Sequence, residues 1–199
     1  MKTHKLHRTI AAMFAAAGIG FAGVALAANS PMSKDAYSAE KDRIDAAYKS
    51  EVANCKPMAG NAKDVCEVIA KGNRDMAKAD AEASYKNTAK ARFDARVAHA
   101  DAAYNVAKEK CDDLAGNPKD VCVKEAKAAE VKSKADAKVD RVAADTTQSS
   151  MKKVSEAKQD AREDKRDAEY KVAVEKCDAL SGDAKDRCLA AAKRAFGRT

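Results

Sequence analysis

The residues in this chain whose type and spacing could do chemistry are six cysteines: Cys55, Cys66, Cys111, Cys122, Cys177 and Cys188. Cysteines can hold a metal, exchange electrons or close disulfides. Zinc and redox sites use closely spaced ligands, and the chain has neither a C-x-x-C nor a Cys/His cluster with zinc spacing. The six instead fall into three pairs, each with its cysteines eleven residues apart. Every pair sits in the same setting. Asp45-Ala46-Ala47-Tyr48 precedes Cys55, Asp101-Ala102-Ala103-Tyr104 precedes Cys111, and Asp167-Ala168-Glu169-Tyr170 precedes Cys177, with seven residues from Tyr to Cys. Between the cysteines run Ala59-Gly60-Asn61, Ala115-Gly116-Asn117 and Ser181-Gly182-Asp183.

The elements that position these pairs follow from the same residues. Gly60, Gly116 and Gly182 suit the left-handed position that ends a helix. Asn61, Asn117 and Asp183 suit the N-cap of the next, which puts Pro118 at N1 and Asp64, Asp120 and Asp186 at N3, beside the positive helix end. Each unit is therefore expected to be helix, two-residue turn, helix, with its cysteines facing each other across the seam. Six cysteines allow 15 pairings, and the repeat selects Cys55–Cys66, Cys111–Cys122 and Cys177–Cys188. Each bridge closes a short loop, worth roughly 3 kcal/mol in the chain-entropy treatment.

Composition agrees with long helices and excludes a thick core. The 199 residues are 46% hydrophobic, but much of this is alanine. Leu, Ile, Val and Phe make up about an eighth of the chain beyond the N-terminal segment, below the roughly 20% at which ordinary cores become doubtful. Tyr37, Ile44, Tyr48, Val52 and Cys55 form a narrow coiled-coil-like stripe, as do Phe93, Val97, Ala100, Tyr104 and Cys111. Acid-first charge pairs at i,i+4, such as Asp45/Lys49 and Asp167/Lys171, support the helices. Breaks are expected at Lys86-Asn87-Thr88 and from Asp145 to Ser150, with a kink at Gly72-Asn73. The stretch from Lys152 to Arg166 has like charges at i,i+4 and little apolar seam, so it is expected to be the least stable helix or a solvent-spanning one.

The N-terminus has the form of a secretory signal. Lys2, Lys5 and Arg8 precede the uncharged stretch Ile10–Val24, and Ala25-Leu26-Ala27 offers small residues to a peptidase. Cleavage is expected between Ala27 and Ala28, the alternative being an uncleaved membrane anchor. No cysteine stands where a lipid anchor would need one. Removing residues 1–27 takes away three basic groups and no acid, and lowers the net charge from +7 to +4. That weakens a nucleic-acid reading, as does the interleaving of acidic and basic residues. His99 is then the one histidine left, and no oriented partner or pocket is evident for it as a base. No phosphate-binding glycine loop is present.

The expected architecture is all-α: a signal peptide at 1–27, then three tandem disulfide-stapled antiparallel helical hairpins at 28–86, 87–147 and 148–199. Helices of roughly 25–30 residues would be about 40 Å long. The pattern is compatible with a compact bundle and with extended hairpins. The repeated Ala-Gly-Asn-x-Lys-Asp-Val-Cys units and Asp-Ala-Ala-Tyr entries, on an exported Ala/Lys-rich chain, resemble a set of small exported proteobacterial proteins often labelled cell-envelope biogenesis proteins or TolA-like. The resemblance covers nearly all of the mature chain. It departs from TolA in its cleavage site and in ending on Phe196-Gly197-Arg198-Thr199 in place of a folded domain. The hairpin is also similar to the paired-helix, twin-cysteine modules of mitochondria, which use two bridges per hairpin. The reading is a periplasmic or secreted, non-enzymatic scaffold or spacer of the envelope without cofactor, metal or small-molecule substrate. The alternative is a stress or chaperone-like client binder. Partners are expected to be envelope proteins or a second copy of the chain, not nucleic acid, with membrane contact only through an uncleaved N-terminus.

Overall fold

The structure is a computed structural model that describes residues 31–145 and 151–198. Six helices follow one another: α1 (Lys34–Cys55), α2 (Gly60–Lys86), α3 (Ala89–Lys110), α4 (Gly116–Asp145), α5 (Met151–Cys177) and α6 (Gly182–Ala195). A single 3-10 turn, Cys111–Asp113, extends α3, and no strand occurs among the described residues. The residues of the proposed cleavage site, Ala27 and Ala28, lie outside the described part.

Side-chain chemistry sets the helix starts. The Ser33 hydroxyl accepts from the Ala36 amide at the head of α1, and the Thr88 hydroxyl accepts from the Ala91 amide at the head of α3. Asn87 takes the left-handed conformation at φ 48° and closes α2, so one residue ends a helix and the next opens another. The expected break at Lys86-Asn87-Thr88 is in place. The hairpin ends depart from a two-residue turn. Gly60, Gly116 and Gly182 do have positive φ, but the cap side chains expected after them are not used as such. No side-chain cap bond closes the start of α2 or α6. The Asn117 amide instead donates to the Glu175 carbonyl on α5, 2.9 Å away. The connection is longer because Met58, Leu114 and Leu180 donate their amides back to the carbonyls of Cys55, Cys111 and Cys177. Those three apolar side chains cover the hairpin ends and stay 44%, 44% and 43% exposed.

All three disulfides pair as expected: Cys55–Cys66, Cys111–Cys122 and Cys177–Cys188, with Cα atoms 5.6, 5.7 and 5.7 Å apart. The first cysteine of each pair is fully buried. Each bridge staples the helix pair of one hairpin at its closed end.

Helix packing settles the choice between bundle and extended row. Each helix packs on its neighbours in sequence, and no other pair makes an extensive contact. The helices form one antiparallel layer, with two broad faces uncovered by any other described element. Its seams are thin. Ile44 is the one large aliphatic side chain buried among the described residues; the other buried hydrophobic residues are alanines and three cysteines. Alanine lets helix axes approach closely but buries little area per residue.

Two expectations are corrected, on α5 and on helix length, and Gly72 has a role that the sequence did not announce. Helix α2 runs through the expected kink site at Gly72-Asn73 as one helix from Gly60 to Lys86. Gly72 is buried where α2 meets α3, and a Cβ built on it would lie 3.1 Å from the Ala102 Cβ. The segment from Lys152 to Arg166 is neither solvent-spanning nor without a seam: Ala157 and Ala161 are buried in α5, and pairing with α4 offsets its like charges. Lys138 holds Asp160 at 3.0 Å, and Lys165 pairs with Asp136. The helices are also less uniform than expected, from 30 residues in α4 down to 14 in α6.

Candidate functional site

The repeated Asp-Ala-Ala-Tyr entry works as a clasp across each hairpin. Its aspartate reaches a cation on the returning arm: Asp45 to Lys78 on α2 at 2.6 Å, Asp101 to Lys134 on α4 at 2.5 Å, and Asp167 to Arg198, just past the end of α6. Its tyrosine, one turn further along, lies under a cation from that same returning arm. Arg74 is 4.4 Å from the Tyr48 ring centre, Lys127 is 5.0 Å from Tyr104, and Arg198 is 5.3 Å from Tyr170. The open ends of the first two hairpins are closed by matching residues of different chemistry. Tyr37 stacks on Tyr85 with ring centres 4.6 Å apart, while Phe93 at the position equivalent to Tyr37 lies under Arg141. The motif is thus spent on holding helix to helix.

Glu130 on α4 is the one buried charged residue among the described residues, 5% exposed. Burial alone would raise its carboxyl pKa, but Lys127 and Lys134, each with its ammonium 2.6 Å away, outweigh that and hold it below the ordinary glutamate value. Lys134 bridges Glu130 to the clasp aspartate Asp101; burial would lower its pKa, and the two carboxylates together raise it.

His99 is not alone. Its Nε2 lies 2.8 Å from Asp80 Oδ2, joining α3 to α2, with both side chains about half exposed. A histidine–carboxylate pair could orient a base, but no nucleophile or metal ligand joins it. Among the described residues no group of three or more His, Cys, Asp or Glu could hold a metal ion.

Among the grooves along the seams, two correspond to each other, one between α2 and α3 (about 460 Å³) and one between α4 and α5 (about 440 Å³). They occupy equivalent places in successive repeats. Ile69 and Glu125 each stand three residues past the second cysteine of their hairpin, and Val106 and Val172 each stand two past the repeat tyrosine. The α4/α5 groove is laced by ion pairs, Lys176–Glu125 at 2.6 Å and Lys132–Glu169 at 2.5 Å. In the α2/α3 groove the matching partners are Lys110 with Ile69, and Met76 with Ala103. The α4/α5 groove is rimmed by paired charges; at the equivalent rim positions the α2/α3 groove carries Ile69, 38% exposed, with Met76 and Ala103.

The disulfide residues were legible from the repeat. The clasp cations and the ion pairs lacing α4 to α5 were not singled out, although Lys78 and Lys134 stand the same distance beyond Asp45 and Asp101. That shared spacing was the available signal. Compared with models of known protein families, with curated proteins and with solved structures, the chain matches none.

Proposed function

We propose that the chain is a non-enzymatic scaffold or spacer of the cell envelope, exported by its N-terminal signal, cleaved after Ala27, and working in the periplasm. This keeps the likeness to exported, TolA-like envelope proteins as part of the reading. The observation that carries it is the architecture: a one-layer row of helices, stapled three times, whose repeated internal motif is used for helix clasps. Three disulfides in a small helical protein suit an oxidising, extracytoplasmic compartment. No described helix is long and apolar enough to cross a membrane. A row held at its seams by clasps and ion pairs presents two long faces to protein partners. Crosslinking in intact cells, followed by identification of the captured proteins, tests it: envelope proteins bound to the mature form support the scaffold, and a monomer with no envelope partner overturns it. N-terminal sequencing of the exported form tests the cleavage; a chain that still begins at Met1 refutes it.

The apolar α2/α3 groove favours a second reading, a chaperone-like binder of partly unfolded clients. Suppression of client aggregation by the oxidised protein would support this reading. No suppression in either the oxidised or the reduced state counts against it.

A further inference from the structure

Helical domains bury their apolar stripes between two packed layers. This chain supplies one layer, and only part of it carries apolar residues on an open face. In the groove between α4 and α5, Glu125 and Glu169 neutralise Lys176 and Lys132, so every charged side chain lining that groove has its partner within the chain. The equivalent groove between α2 and α3 lacks both acids. Ile69 stands where Glu125 would be, Met76 where Lys132 would be, and Ala103 where Glu169 would be. Lys110, matching Lys176, is left with no ion-pair partner within the described residues. The difference lies in the side chains, because the two grooves are lined from equivalent positions of the repeat.

We propose that the α2/α3 groove is a dimerisation surface that takes the same groove of a second copy, α2 and α3 of each chain forming a four-helix core across a two-fold axis. The choice of a second copy rests on the charges at the ends of the groove. Lys110 lies at the end near the disulfide, beside Ile69; Asp80, paired with His99, lies toward the other end. From Ile69 to Asp80 the helix advances by roughly 16 Å. An isologous, antiparallel docking brings Lys110 of each copy to Asp80 of the other, while Met76 and Val106 pack about the axis and Ile69 lies beside each Lys110–Asp80 contact. Gly72 and Ala102, buried at the floor of the groove, let α2 and α3 of one chain approach each other closely. This goes beyond the scaffold reading and does not depend on any envelope partner.

The test is sedimentation equilibrium of the oxidised mature protein over a range of concentrations. The wild type is expected to double its mass as concentration rises. A triple variant, Ile69→Glu with Met76→Lys and Ala103→Glu, gives the groove the charge pattern of its α4/α5 counterpart. It is expected to stay monomeric with unchanged helicity. Should that variant fail to fold, a gentler pair decides: Lys110→Asp is expected to weaken the dimer at least tenfold, and adding Asp80→Lys to restore it. A wild type that remains monomeric overturns the proposal and leaves the scaffold reading to the crosslinking test. So does a folded triple variant that still dimerises, or a Lys110→Asp variant that Asp80→Lys fails to rescue.

Discussion

The three disulfides close loops of equal length, with a sequence separation of 11 in each. Loop entropy alone therefore assigns them equal weight, roughly 3 kcal/mol each. Their surroundings are unequal. Cys111–Cys122 joins α3 and α4, which pack on α2 and α5 as well as on each other. Cys177–Cys188 joins α5 to α6, a helix of 14 residues whose packing is confined to α5. An isolated helix of that length is marginal in water. Removing the central bridge, Cys111→Ser with Cys122→Ser, should destabilise the whole unit. For a chain of this size about 3 kcal/mol corresponds to a fall in Tm of roughly 6–12 °C. Removing the last bridge, Cys177→Ser with Cys188→Ser, should instead release α6 at low temperature. The ellipticity at 222 nm should drop by about a tenth, the share α6 holds of the described helix, with the main transition little moved. Far-UV circular dichroism during a thermal scan separates the two, and proteolysis near Arg187 checks the second. Equal Tm losses from both double variants, with no loss of helix in the cold, would refute the assignment of α6 as a separately held element.

Three further outcomes follow from local geometry. Gly72→Ala gains about 1 kcal/mol of helix propensity but sets a rigid methyl 3.1 Å from the Ala102 Cβ. Neither alanine has a rotamer to yield, so overpacking of about 1–3 kcal/mol should win and urea denaturation should show net loss of stability. For Glu130, a carboxyl held below its ordinary value of 4.5 stabilises the fold fully above that pH, and the contribution fades as pH falls through the folded-state value. Glu130→Gln should thus lower Tm at pH 7 and make little difference at pH 2, as read by thermal scans at both. Asp160→Lys removes the partner of Lys138 and places two cations together. Exposed pairs are worth about 0.2–1 kcal/mol, so hydrogen exchange should quicken in the first half of α5 while α1–α3 keep their protection.

How much of this could be seen in the residues depends on whether the signal was local. The hairpins and their bridges were legible because the cysteines, the glycines at positive φ and the tyrosines recur at fixed spacing. The first inter-hairpin junction was marked by polar cap chemistry, and Thr88 does cap α3; the polar stretch expected to form the second falls on residues 146–150, outside the described residues. The turn length was misjudged because Met58, Leu114 and Leu180 bond back to the cysteine carbonyls, a contact that no residue preference announces. Gly72 suggests a kink in isolation; the tertiary contact with Ala102 gives it a different purpose. The like charges of α5 look repulsive along one helix, and only the facing α4 reveals their partners. The contrast between the two grooves is written in the sequence, in Glu125 against Ile69, but it acquires meaning only once the helices are known to lie side by side.

The one-layer arrangement has a mechanical consequence. Tension applied between the first helix and the last meets seams in series, so the row can open one helix at a time without a collective rupture. The bridges then set how far it can lengthen. Each joins Cα atoms less than 6 Å apart and bypasses a stretch whose extended length is roughly 35–40 Å. The stretched chain is shorter by about 30 Å for every bridge that remains closed, and reduction releases that length. The cysteines therefore act as stops on extension, fixing the reach of the chain under load by its redox state.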